Sequence, residues 1–226
     1  MKKLYAVLFL ALSVWSCKPA ETEPATAYDY FPLEKGNFII YDVTQTQYAL
    51  AQDSVRSQYQ IKELVADAFT GLDGEPSFRL ERYRRTNQQQ TWAIDSVWTA
   101  RRTLNQAIRT ENNVPYVKLW FPIYVKQTWN GNVLNSNDPD EYEVTQLDEP
   151  LKIGTNDFSK TLTVVQENKV SAIDFVNRKE IYAKGVGLIY RERTELYYCQ
   201  SGDCFGQNKI DFGTRFIQQI SSYGKE

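Results

Sequence analysis

From residue 28 onward, apolar side chains recur mainly at every second position, in runs separated by clusters of Gly, Asn, Asp and Pro. That period belongs to half-buried β-strands. Tyr30-Phe31-Pro32-Leu33 opens the patterned region, Glu34-Lys35-Gly36-Asn37 reads as a turn, and Phe38 to Thr46 as a strand. Ser54 to Val65 alternates, with Val55, Tyr59, Ile61 and Val65 on one side. After the turn signal Gly71 to Pro76, Phe78 and Leu80 continue the period opposite Arg79, Glu81 and Tyr83. Thr91 to Thr103 predicts a long strand with Trp92, Ile94 and Trp98 on one face. Ala107 to Glu111 and Tyr116 to Phe121 predict a hairpin around Asn112-Asn113, Pro122 to Lys126 ends it, and Thr128 to Asn132 reads as a turn.

Further along, Asn135 to Asp140 reads as a loop. Tyr142 to Leu147, Thr161 to Glu167, Lys179 to Ala183, Leu188 to Tyr198 and Phe212 to Ser221 read as strands, with a short helical piece near Ser171 to Val176. The expectation is one all-β domain, residues 29–226, of long antiparallel strands in a meander. Its apolar face has to be covered by curling into a half-barrel or barrel. The aromatic share of 14% and only 11 Gly favour long strands over helices. No second linker and no internal repeat divides the chain.

The first 28 residues follow a different pattern. Lys2 and Lys3 precede an apolar stretch, Leu4 to Trp15, too short to span a bilayer as a helix. Residues 1–16 therefore read as a signal peptide. Ser13-Val14-Trp15-Ser16-Cys17 resembles the lipobox of bacterial lipoproteins, with Trp15 where a small residue is commoner. The resemblance implies that Cys17 carries a lipid anchor of two or three acyl chains, palmitate among them, and becomes the first residue after cleavage. An ordinary secretory signal is the alternative. Lys18 stands where the inner-membrane retention signal of that family has Asp, which implies the outer membrane, periplasmic or surface-exposed. Residues 17–28 read as the lipidated Cys and its linker.

Charge narrows the function classes. There are 26 basic and 28 acidic residues, and two of the basic ones leave with the signal. A mild acidic excess gives no electrostatic reason to bind nucleic acid. The clusters Arg82, Arg84, Arg85 and Arg101, Arg102 read as solvated strand faces rather than an anion site. With no His anywhere, His-dependent catalytic triads and His-based zinc sites are excluded. The remaining cysteines, Cys199 and Cys204, predict a disulfide in an oxidising envelope; a metal site there would need carboxylates as co-ligands. No catalytic residue, cofactor or metal is implied. Asn135 to Glu141 carries oxygen ligands at close spacing, but turns use the same residues. Glu81, Asp95, Glu141 and Glu143 have no context that marks them as a hydrolytic pair. Trp92, Trp98, Trp120 and Trp129 read first as core, and second as a sugar platform or cavity lining.

Three short segments carry a second resemblance. Tyr182 to Glu192, with its Lys-Gly-Val-Gly-Leu centre, is similar to a segment of many uncharacterised Gram-negative envelope proteins. Phe31-Pro32-Leu33 with Gly36-Asn37 and Tyr41, and Phe121-Pro122 with Thr128-Trp129-Asn130-Gly131, match two others in order. The resemblance implies a curved antiparallel sheet, of the half-barrel type of lipoprotein carriers, and no activity. Gly185 and Gly187 suit a bulge or sharp bend entering a strand.

These readings converge on a non-enzymatic, membrane-anchored lipoprotein. Its partners are the membrane, through the anchor, and a lipid-like ligand or an envelope protein. A carbohydrate-binding or adhesion module and a carboxylate hydrolase are the alternatives. Replacing Cys17 by Ser is expected to abolish acyl labelling and release a soluble or unprocessed form; persistent labelling would overturn the anchor assignment.

Overall fold

The computed structural model describes residues 27–71 and 74–226. The signal segment, Cys17 and most of the linker lie outside the described residues. Twelve strands run in chain order: β1 (Asn37–Tyr48), β2 (Val55–Thr70), β3 (Pro76–Arg85), β4 (Ala93–Arg102), β5 (Gln106–Glu111) and β6 (Val114–Trp120) form one half. The other half is β7 (Thr128–Asn130), β8 (Glu141–Ile153), β9 (Asn156–Val170), β10 (Asp174–Ala183), β11 (Gly187–Tyr198) and β12 (Ile210–Lys225).

All pair antiparallel in a single sheet ordered β6-β5-β4-β3-β2-β1-β12-β11-β10-β9-β8-β7. The two six-strand meanders are thus zipped together by β1 and β12, which pair from Asn37↔Lys225 to Tyr48↔Gly213. The result is an all-β, nearly closed barrel with one unsealed seam, between β6 and β7. Eight of the eleven ladders carry a register shift, and bulges bend strands and raise their twist, so the sheet curls instead of lying flat. The predicted hairpin at Asn112-Asn113 is present, and both residues take positive φ (51° and 66°), as a two-residue turn matching strand twist requires.

Several local expectations fail for identifiable reasons. Thr128 to Asn130 is not a turn but the edge strand β7. Ser171 to Val176 holds no helix: the Ser171 amide bonds to the Asp174 carbonyl at 2.9 Å and β10 begins at once. The described helical pieces are two single 3₁₀ turns, Tyr28–Tyr30 and Gly202–Cys204, and none is long and apolar enough to cross a membrane. Ile94 does not share the face of buried Trp98. The β3–β4 register skips Asp95, pairing Arg82 with Ser96 and Tyr83 with Ile94, and the extra residue leaves Ile94 61% exposed. Cys199 and Cys204 are joined as a disulfide, with their Cα atoms 5.8 Å apart.

The seam is bridged by hydrogen bonds in place of a ladder. The Val117 amide donates to the Gly131 carbonyl, and Trp129 Nε1 to the Val117 carbonyl, each at 2.9 Å. Asn135 Nδ2 donates to the Pro115 carbonyl at 2.8 Å. The backbone at Gly131 lies flat on the Tyr142 ring, and a Cβ added there would stand 2.6 Å from Cε2. Tyr142 is buried and packs edge-on against Trp129, so it has little room to retreat. Gly131→Ala is therefore expected to cost about 1–3 kcal/mol, read as a lowered urea midpoint. A midpoint equal to that of the parent would show that the seam is not packed this tightly.

Candidate functional site

Inside a β-barrel every second residue of a strand points into the lumen. Here those positions are charged at mid-height. Glu111 from β5 accepts a two-pronged interaction from Arg191 of β11, with NH2 to Oε1 at 2.8 Å and NH1 to Oε2 at 3.4 Å. Lys118 Nζ of β6 lies 2.8 Å from Glu180 Oε1 of β10, and Arg191 Nε reaches the same oxygen at 2.8 Å. These contacts to Glu180 Oε1 lack the angles of a hydrogen bond and are held by charge. Tyr182 completes the shell of Glu180, its hydroxyl donating to Oε2 at 2.5 Å. Arg109 pairs with Glu63 of β2, and Arg82 Nε lies 3.4 Å from the same Glu63 oxygen. Because β5 and β11 are not sheet neighbours, the Arg191–Glu111 pair spans the lumen.

Taking carboxylates out of water would raise their pKa; here opposite charge wins. Burial pushes Glu180 up, but Lys118 and Arg191 outweigh it and hold the group at about 2. Glu111 is likewise penalised by burial yet held well below the carboxylate range by Arg191, Lys118 and Arg109. Arg82 is lowered, first by burial and then, against the pull of Glu63, by its neighbours Arg109 and Arg191.

This layer separates two cavities. One, of about 310 Å³, sits beside the N-terminal strap, residues 27–36 ahead of β1, with apolar walls from Phe31, Leu33, Val65, Leu80 and Leu188, and with Glu63 and Arg109 at its charged side. Tyr41 also lines it, fully buried, its hydroxyl donating to the Leu188 carbonyl at 2.9 Å. The strap is fixed over this end by three anchors. The Tyr28 hydroxyl bonds to the Leu104 carbonyl at 2.9 Å, the Tyr30 hydroxyl to Asp148 at 2.6 Å, and the Gly185 amide to the Asp29 carbonyl at 2.8 Å. The second cavity, of about 400 Å³, is built from strand positions on the other side of the charged layer, among them Tyr59, Arg84, Trp98, Arg193 and Phe216.

Several sequence expectations need correction here. Arg82 is not on a solvated strand face: its side chain is 11% exposed and its guanidinium lies 3.7 Å over the Trp98 ring. Arg85 lies half-buried over Trp92, and Arg102, exposed on the core face of β4 at the end of the barrel, lies over Tyr28. Trp98 and Trp129 are buried, and the exposed pair Tyr197 and Phe212 stacks face to face at 4.8 Å, an arrangement that covers one face of each ring. In the loop from Asn135, side chains serve the turn, and Asp140 is bound to Arg178 at 2.7 Å. Among the described residues no group of three His, Cys, Asp or Glu is placed to hold a metal. The residues that sequence reasoning missed are Glu111, Lys118, Glu180 and Arg191. Glu180 and Arg191 are register partners in the β10–β11 hairpin and Glu111 and Lys118 stand on the β5–β6 hairpin; it is the two hairpins that lie far apart in the chain, and only the barrel brings them together.

No protein-family model and no curated protein matches the sequence. Among solved structures the chain is similar to a crystal structure of a candidate lipoprotein from Parabacteroides distasonis. The identity is 12%, over 85% of this chain and 98% of that one, with a TM-score of 0.38, a likeness too slight to transfer fold or function.

Both carboxylates have folded-state pKa values below the unfolded value of 4.5. Their contribution to stability is complete above that value and is lost as pH falls toward 2. The urea midpoint should thus be flat from about pH 7 to 5 and drop steeply between about pH 4.5 and 2. A midpoint unchanged down to about pH 3 would mean that the pairs do not stabilise the fold.

Proposed function

We propose that this chain is a non-enzymatic envelope lipoprotein, tethered to the outer membrane through Cys17, whose barrel holds a small apolar ligand in the cavity beside the strap. The observation that carries the reading is that cavity. Its volume of about 310 Å³ lies at the lower end of small-molecule sites, and its walls are mostly aliphatic and aromatic. Its charged groups already have partners: Arg109 and Glu63 pair with each other, and Lys225 pairs with Glu34 at 3.2 Å. Hydrolysis by two carboxylates would need one of them protonated near neutral pH, whereas Glu111 and Glu180 are both held low.

The test is native mass spectrometry of the anchor-free domain, residues 23–226, purified from a bacterial envelope without detergent. The expected result is a reproducible extra mass that extracts into organic solvent and disappears in Leu80→Trp, which fills the cavity. A bare protein mass, or an adduct that persists in Leu80→Trp, would overturn the ligand reading and leave a scaffold that binds an envelope protein.

A further inference from the structure

The second cavity has a chemistry the apolar one lacks. Its lining carries four guanidinium groups, Arg82, Arg84, Arg191 and Arg193, against three carboxylates, Asp95, Glu111 and Glu195. The deeper groups are paired: Arg191 with Glu111 at 2.8 Å and Arg82 with Asp95 at 3.6 Å. The outer two are not satisfied in this way. Arg84 is exposed and, among the described residues, makes no ion pair; its guanidinium lies over the Tyr59 ring at 3.8 Å. Arg193 reaches no carboxylate closer than Glu111, 3.9 Å away and already held by Arg191. The two stand on β3 and β11, separated in the sheet by β2, β1 and β12, so they flank the opening from different walls. Between them the cavity presents the half-buried Phe216, with the buried Trp98 behind Arg82 at its floor. Glu195 sits exposed at the rim, where water screens it.

We infer that this mouth is a binding site for a small aromatic carboxylate, its charge taken by Arg84 and Arg193 and its ring laid on Phe216. A guanidinium held against a ring, as Arg84 is on Tyr59, loses less freedom on accepting a carboxylate, and the planar fork suits that anion. The concave shape and the aromatic walls set the site apart from an ordinary solvated arginine pair. It lies across the buried ion-pair layer from the apolar cavity and does not depend on the occupant proposed there.

The probe is 1-naphthoate, titrated calorimetrically into residues 23–226, with neutral 1-naphthalenemethanol and inorganic phosphate as comparisons. Saturable binding of 1-naphthoate is expected, at least about tenfold tighter than either comparison, as one lost charge-assisted contact corresponds to roughly a decade in affinity. The double variant Arg84→Ala/Arg193→Ala should lose about tenfold or more while moving the urea midpoint little, since the one carboxylate near Arg193, Glu111 at 3.9 Å, stays held by Arg191. Leu33→Trp, which fills the other cavity from outside the sheet, should bind 1-naphthoate as the parent does. Absence of saturable binding, equal binding of the alcohol or of phosphate, or full affinity in the double variant would each overturn the assignment. Loss of 1-naphthoate binding in Leu33→Trp would place the probe in the apolar cavity and overturn it as well.

Discussion

Glu111 and Glu180 sit almost fully out of water, and each must be neutralised from more than one strand. Isolated carboxylates in such a place would cost several kcal/mol, so the fold is tolerable only where cations reach them. Lys118, Arg109 and Arg191 converge on Glu111, while Lys118, Arg191 and Tyr182 converge on Glu180. Those groups come from β5, β6, β10 and β11, and they can meet only if the sheet has curled far enough to bring its two halves face to face. The layer thereby does part of the work that a continuous ladder does in a sealed barrel. Removing one member would leave the others as unpaired buried charges, which is costlier than never having had the set.

The seam and the strap follow from the same geometry. Among the described residues the backbone across the β6–β7 seam offers the Val117–Gly131 bond, and the indole of Trp129 takes the Val117 carbonyl that a longer edge strand would have used. At the neighbouring end the strap reaches the β4–β5 loop through Tyr28, β8 through Tyr30, and the β10–β11 turn through Asp29. It ties together parts of both meanders that share no ladder. The segment between Cys17 and Ala27 can extend at most about 35 Å, so under the proposed anchoring the strapped end stays close to the membrane.

Much of the architecture was legible because local chemistry dictates it. Two adjacent asparagines accept positive φ, so the Asn112-Asn113 hairpin could be placed to the residue. Glycine at 185 and 187 takes φ of 78° and 100° at the predicted bend, and the two late cysteines lie close enough to pair. What stayed hidden depends on register and on long-range pairing. One skipped residue, Asp95, turned Ile94 away from the face that alternation assigned it. A three-residue edge strand such as β7 has too few positions to show a period. Arg82 alternates with Arg84 exactly as a solvated face would, because a lumen lined with charges repeats with the same period as a surface lined with charges. Glu111 and Arg191 are eighty positions apart, and nothing local marks either as the other's partner.

The charged layer also limits what the lumen can hold. A guest entering beside the strap meets the Glu63–Arg109 pair, and a guest entering from the opposite mouth meets Arg82 and the Arg191–Glu111 pair. Passing from one chamber to the other would separate buried opposite charges, at a cost of about 3–5 kcal/mol for each broken pair. A chain running the length of the barrel would have to recover that from apolar contact alone. At about 25 cal/mol per Å², one broken pair offsets the burial of well over about 100 Å² of apolar surface. The lumen therefore favours two short guests of different chemistry over one long apolar chain.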